Sequence, residues 1–127
     1  MGTDIQTKKE SIQATIEIGE QELLDIAITA VEGGIGYWSM IEGYDYKNPN
    51  KIGILHPTEK GEFSSTTLTV QTVLKGIKQI LSGNVKVSNS IRQSILLAIV
   101  SDDMGEIDAG VADCIVQAGL FLDIVYG

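Results

Sequence analysis

The chain has 127 residues, 43% of them hydrophobic, with a formal net charge of −8 and a mean hydropathy of +0.14. That size fits one domain with one core, and no apolar run approaches the ~20 residues of a membrane helix. Eight lysines and a single arginine, Arg92, against 17 acidic residues argue against long nucleic acid, which needs a basic face to displace phosphate counterions.

The opening MGTDIQTKKES carries no apolar segment behind its lysines, so no secretory signal is expected. Gln6 stands where a myristoylation motif needs Ser or Thr. One cysteine, Cys114, allows no intramolecular disulfide and suits a reducing cytosol.

Residues 1–10 are polar and expected to be a flexible terminus, with one α+β domain over 11–127. Ile12, Ala14, Ile16 and Ile18 recur with period two, which predicts a half-buried strand over 11–18. After Gly19, Glu20 and Glu22 favour a helix's first turn. Leu23, Leu24, Ala27, Ile28 and Val31 then follow at helical spacing, so a helix is expected over 20–32. Gly33 and Gly34 read as its left-handed cap.

Residues 35–46 are rich in β-formers and aromatics, 47–50 have turn composition, and 51–56 form a second short strand. Residues 36–57 therefore read as a hairpin, with a short third strand at Glu62-Phe63. Leu68, Val70, Val73, Leu74, Ile77, Ile80 and Leu81 predict a helix over 66–82 closed by Ser82-Gly83. Gly76 interrupts it, which points to close packing of another element there. A further helix runs from Ser88 or Asn89 to about 101. Asp108 caps the last helix, which is apolar nearly all round from Cys114 to Leu122 and so lies in the core or in a subunit interface. The fold expected is α+β: a small, mostly antiparallel sheet, made of the N-terminal strand and the aromatic hairpin, on about four helices.

The segment 28–46, ITAVEGGIGYWSMIEGYDY, concentrates Tyr37, Trp38, Tyr44 and Tyr46 in a chain with 6% aromatics. Its glycines follow a helix and open a strand, the reverse of a dinucleotide-binding fingerprint. They serve either a tight connection or a ligand meeting bare backbone N–H groups. The aromatics either fill the core and pair across strands or stack on a planar ring.

His56, with Asp45, Glu59 or Glu62, is a structural histidine or a weak catalytic candidate. One His and one Cys do not make a zinc set. Asp102, Asp103, Glu106, Asp108 and Asp113 lack calcium-loop order; they leave a divalent cation open, but helix capping and the first-turn dipole explain Glu106 and Asp108 more simply. Asp113, inside an apolar helix, needs a cation or a hydroxyl if buried. Cys114 reads as a buried thiol. Gln71, Lys75, Lys78 and Gln79 form a polar helix face. No metal and no cofactor are expected.

Two stretches carry a resemblance: Ala30-Val31-Glu32-Gly33-Gly34-Ile35-Gly36-Tyr37-Trp38 followed by Tyr44, and the ending 113–127, DCIVQAGLFLDIVYG. With residues 74–77 and 80–83, they resemble a family of small proteins of tailed bacteriophages, over residues 11–127. The resemblance implies a phage accessory protein in the host cytoplasm and supplies no activity. By looser analogy, phage accessory proteins of this size include anti-defence sponges, which sequester the nucleotide second messengers of CBASS and Thoeris immunity as oligomers.

The expectation is then a non-enzymatic protein that binds a small anionic nucleotide-like ligand, of cyclic oligonucleotide or cyclic ADP-ribose type. Glu32, Gly33, Gly34, Gly36, Tyr37, Trp38 and Tyr44 would form the site, with Lys75 or Arg92 neutralising charge. The chain would be a homo-oligomer through its last helix. One alternative is a module that binds a host protein. Another is a small-metabolite enzyme using His56 and a carboxylate.

Overall fold

Residues 10–44, 50–58 and 60–127 are described by the structure, a computed structural model. Residues 1–9, 45–49 and 59 lie outside the described residues, and so do the expectations placed on them, including the turn expected from residue 47. Helix α1 spans Glu20–Thr29, with Glu20 and Glu22 in its first turn. It buries Leu23, Ile26 and Ala27.

A π-helical turn, Ala30–Gly34, continues α1, closed by the Ile35 amide donating to the Ala30 carbonyl at 2.9 Å. Neither Gly33 nor Gly34 has a positive φ, so the glycine pair is not the left-handed cap expected of it. A β-carbon at Gly34 would lie 2.6 Å from the Ala109 carbonyl oxygen. The glycine is there to let two backbones approach.

The sheet has three antiparallel strands in the order β1 (Met40–Tyr44), β2 (Lys51–Pro57) and β3 (Phe63–Thr69). Met40 pairs with Leu55 and Tyr44 with Ile52, with a bulge between Ile41 and Gly43. Lys51 pairs with Thr69 and Pro57 with Phe63. Ile52, Ile54 and Leu68 face the helices and are buried. Lys51, Gly53, Leu55 and Pro57 alternate to the other face, which no helix covers among the described residues.

Two expectations about this sheet are corrected. Residues 10–19 carry no regular structure, so no strand forms over 11–18. Period-two alternation gives a segment two faces, but a strand also needs a neighbour to bond with. Ile16 and Ile18 instead line a groove with Leu74, Ile77, Leu81 and Ile99. The third strand runs through Thr69, not just Glu62-Phe63, because Ser64, Ser65, Thr66 and Thr67 suit a half-buried pleat better than a helix.

Helix α2, Val70–Leu81, starts from a capping box made by Thr69 and Thr72. Gly83, at φ 85°, ends it as expected. Helix α3, Asn89–Val100, is capped by Ser88, whose Oγ accepts from the Ile91 amide. Helix α4, Ala109–Phe121, is capped by Asp108, whose Oδ1 accepts from the Val111 amide at 2.9 Å.

Helix α4 is the centre of the molecule. Val111, Ala112, Asp113, Ile115, Val116, Gln117, Ala118 and Gly119 are all buried. Most of its all-round apolar sequence is thus buried inside one chain, with Cys114, Leu120 and Phe121 partly covered and Leu122 exposed. α4 packs on α2 by glycine on carbonyl. A β-carbon at Gly76 would overlap the Ile115 carbonyl oxygen, and one at Gly119 would overlap that of Thr72. The two helices thus touch backbone to backbone at two points one helical turn apart.

Candidate functional site

The aromatic corner forms where the π-turn delivers the chain into a second, tighter turn. The Trp38 and Ser39 amides both donate to the Ile35 carbonyl, at 3.2 and 3.0 Å, and the Ser39 hydroxyl donates to it at 2.8 Å. Tyr37 and Trp38 therefore sit on a turn before the strand, not on the hairpin expected. The turn aims one ring outward and the other inward.

Trp38 is 5% exposed. Its Nε1 donates to Asp113 Oδ1 at 2.8 Å. Its ring stacks on Tyr126, with centroids 5.0 Å apart and planes 3° apart. Phe121 and His56 meet it edge-on at 5.6 and 6.3 Å. Asp113 Oδ2 accepts from the Tyr37 hydroxyl at 2.6 Å, and Oδ1 also accepts from Gln117 Nε2 at 2.8 Å. All three donors are neutral. These hydrogen bonds to the buried carboxylate are of the stronger charge-assisted kind. Of the partners expected for Asp113, a cation or a hydroxyl, the hydroxyl is the one present. Among the described residues no buried side-chain polar atom lacks a partner.

Tyr37 divides by atom. Its ring leaves the residue 60% exposed, while its hydroxyl is turned in to Asp113. Burial of the hydroxyl, and then the hydrogen bond to and negative charge of Asp113, push its pKa from 10.0 up to about 12. The folded chain thus holds this proton more tightly than the unfolded chain. Its contribution to stability is whole below pH 10 and is lost as pH rises from there to about 12. Tyr37→Phe should remove that part of the alkaline fall, read by denaturant unfolding at stepped pH. Parallel loss in both proteins between those limits would refute the assignment. Burial, reinforced by Asp113 and Asp108, raises the half-buried Cys114 thiol too, which suits an inert thiol and not a nucleophile.

The expected site residues do not converge. Gly36, Tyr37 and Trp38 lie together and, with Ser39, Met40, Leu55, Pro57 and Phe63, line a surface concavity of about 270 Å³. Glu32 and Tyr44 line a neighbouring groove of about 530 Å³ with Val31, Ile41, Glu42 and Gly43. Gly33 and Gly34 pack against Ala109. Arg92 donates from Nη2 to the Leu81 carbonyl at 3.0 Å, capping the end of α2. Lys75 stands exposed on α2, in no described contact with the corner. Among the described residues, neither Lys75 nor Arg92 lines the concavity at this corner.

His56 Nε2 bonds with Thr66 Oγ1 at 3.0 Å, and its ring packs edge-on to Phe121 at 5.1 Å. Its described hydrogen bonds reach Thr66 and Pro57, neither a carboxylate. In the acidic run, Asp103 and Asp108 accept backbone amides. The described residues hold no group of three metal-ligating side chains.

Sequence reasoning singled out neither Met40 nor Phe63 for a site. Both are exposed, at 60% and 66%, and the signal was available in Phe63 alone among polar residues. It also gave Gln117, Phe121 and Tyr126 no role, though they stand in the motif behind the resemblance. Compared with protein-family models, curated proteins and solved structures, the chain shows no match to any.

Proposed function

We propose that the protein is a non-enzymatic binding module that grips a partner protein through the uncovered face of its sheet. One observation carries this reading: Tyr37, Met40 and Phe63, exposed at 60%, 60% and 66%, surround a concavity floored by Leu55 and Pro57. Aromatic residues and methionine are enriched in protein interfaces relative to the rest of the surface, and contiguous apolar surface marks such contacts. Among the described residues none that lines the concavity is positively charged, so it suits an apolar side chain better than a phosphate. Glu42 and Glu62, exposed beside Met40 and Phe63, give an acidic rim. With the net charge of −8, this favours a partner whose apolar anchor is ringed by lysine or arginine.

Capture of nucleotide messengers draws support from the exposed Tyr37 ring and from Tyr44 in the neighbouring groove, while Trp38 is engaged inside the molecule. The test compares wild type with Phe63→Ala and Met40→Ser. Each should fold normally, as exposed substitutions cost within about 0.5 kcal/mol. Each should weaken a partner identified with wild type by roughly tenfold or more in titration calorimetry. Undiminished affinity in both variants refutes the reading. A large thermal shift with cyclic oligonucleotides or cyclic ADP-ribose isomers, abolished by Tyr37→Ala, would instead establish sequestration.

A further inference from the structure

Helix α4 ends at Phe121, and its capping residue Leu122 stands at φ 57° and ψ 26°, a left-handed conformation disfavoured for a residue that carries a β-carbon. Residues 123–127 then run without regular structure back over the aromatic corner. Gln117, fully buried, reads their main chain from both sides. Its Oε1 accepts the Val125 and Tyr126 amides, each at 2.8 Å, and its Nε2 donates to the Tyr126 carbonyl at 3.2 Å. The Tyr126 ring enters a slot walled by Trp38 and Phe121, and its hydroxyl donates to the Pro57 carbonyl at 3.1 Å.

This is how a protein recognises a peptide from outside: an amide that pairs with main chain whatever the sequence, beside a pocket that selects one side chain. The segment depends on few anchors, most of them on one glutamine, and Leu122 and Val125 remain exposed at 52% and 56%. Segments so held open locally at less cost than global unfolding.

We infer that the slot under Tyr126 is a binding site for an extended, tyrosine-bearing peptide, and that the chain's own last residues occupy it as a tethered ligand. Release of the segment frees the Trp38 face, Gln117 and the Pro57 carbonyl for the same chemistry offered by another chain. The inference does not rest on the sheet-face reading, whose test residues Met40 and Phe63 make none of these contacts.

The test uses the full-length chain carrying Tyr126→Ala and the synthetic peptide Asp-Ile-Val-Tyr-Gly, followed by the fluorescence of the single tryptophan, Trp38. The peptide should bind the variant at least tenfold more tightly than it binds wild type, whose slot is filled. A peptide with alanine for tyrosine should not bind. In wild type, the Val125 and Tyr126 amides should exchange hydrogen at least tenfold faster than the Val116 amide. A folded variant that ignores the peptide overturns the inference. So does tail exchange as slow as that of Val116, which decides the matter even if the variant fails to fold. A dimer formed by wild type and lost in Tyr126→Ala supports the site with a second copy as the source. Peptide binding without a dimer supports it with another protein's segment.

Discussion

Gly76→Ala should destabilise the protein by about 3 kcal/mol or more, and Gly119→Ala should match it. Overpacking of a well-filled core costs about 1–3 kcal/mol when side chains can shift. Here the obstacle is a backbone carbonyl, of Ile115 in one case and Thr72 in the other. Neither can move without displacing its whole helix, so the upper end of that range or beyond is expected. For a domain of this size the melting temperature would fall by roughly 12 °C. Gly36→Ala is the control. A β-carbon there meets nothing within 4 Å and the backbone is not left-handed, so its effect should stay within about 0.5 kcal/mol. Urea unfolding should show shifted midpoints with unchanged slope. If Gly76→Ala unfolds at the wild-type midpoint, the α2–α4 contact is not as described.

Asp113→Ala should cost about 3–5 kcal/mol. It leaves Trp38 Nε1, Gln117 Nε2 and the Tyr37 hydroxyl without their shared acceptor, and a buried donor left unpaired costs about 1–3 kcal/mol. Water reaches the half-exposed Tyr37 side, so the sum falls short of three full penalties. Asp113→Asn keeps one acceptor oxygen but turns an N–H₂ toward the remaining donors, and should cost roughly half as much. Both are measured by denaturant unfolding, with Trp38 emission expected to move to the red as its slot loosens. A cost below about 1 kcal/mol for Asp113→Ala would mean that the carboxylate does not organise the corner.

The helical layer was legible because its signals are local. Apolar residues spaced for one face, Asp108 as a cap and Gly83 as a stop each act within a turn or two of chain. Gly76 was legible by its misfit: a glycine inside a strongly periodic helix had to answer a packing need, and Ile115 supplies it. The sheet was harder. Ile12 to Ile18 alternate as a strand does, yet pairing depends on a partner that local pattern does not contain. The helix expected from residue 66 begins only at Val70, because serine and threonine suit both helix caps and strands, and only the cross-strand register with β2 decides between them.

The corner was less legible for a related reason. Four aromatics close together left core filling and a stacking surface both open, because neighbours on a strand point to opposite faces. The turn at Ile35 to Ser39 sends Trp38 inward and Tyr37 outward. What fills the space around Trp38 comes from about eighty residues away, through Asp113, Gln117, Phe121 and Tyr126. No spacing rule joins those positions to Trp38.

The central claim is that this corner is closed around Trp38 while the sheet face beside it stands open. Hydroxyl-radical footprinting of the native protein, resolved residue by residue, tests both halves at once. Tyr37, Met40 and Phe63 should be oxidised readily, and Trp38, intrinsically among the more reactive side chains, should be modified far more slowly in the folded chain than in the unfolded one. Modification of Trp38 as fast as Tyr37 in the folded chain, or protection of Met40 and Phe63, would contradict the account.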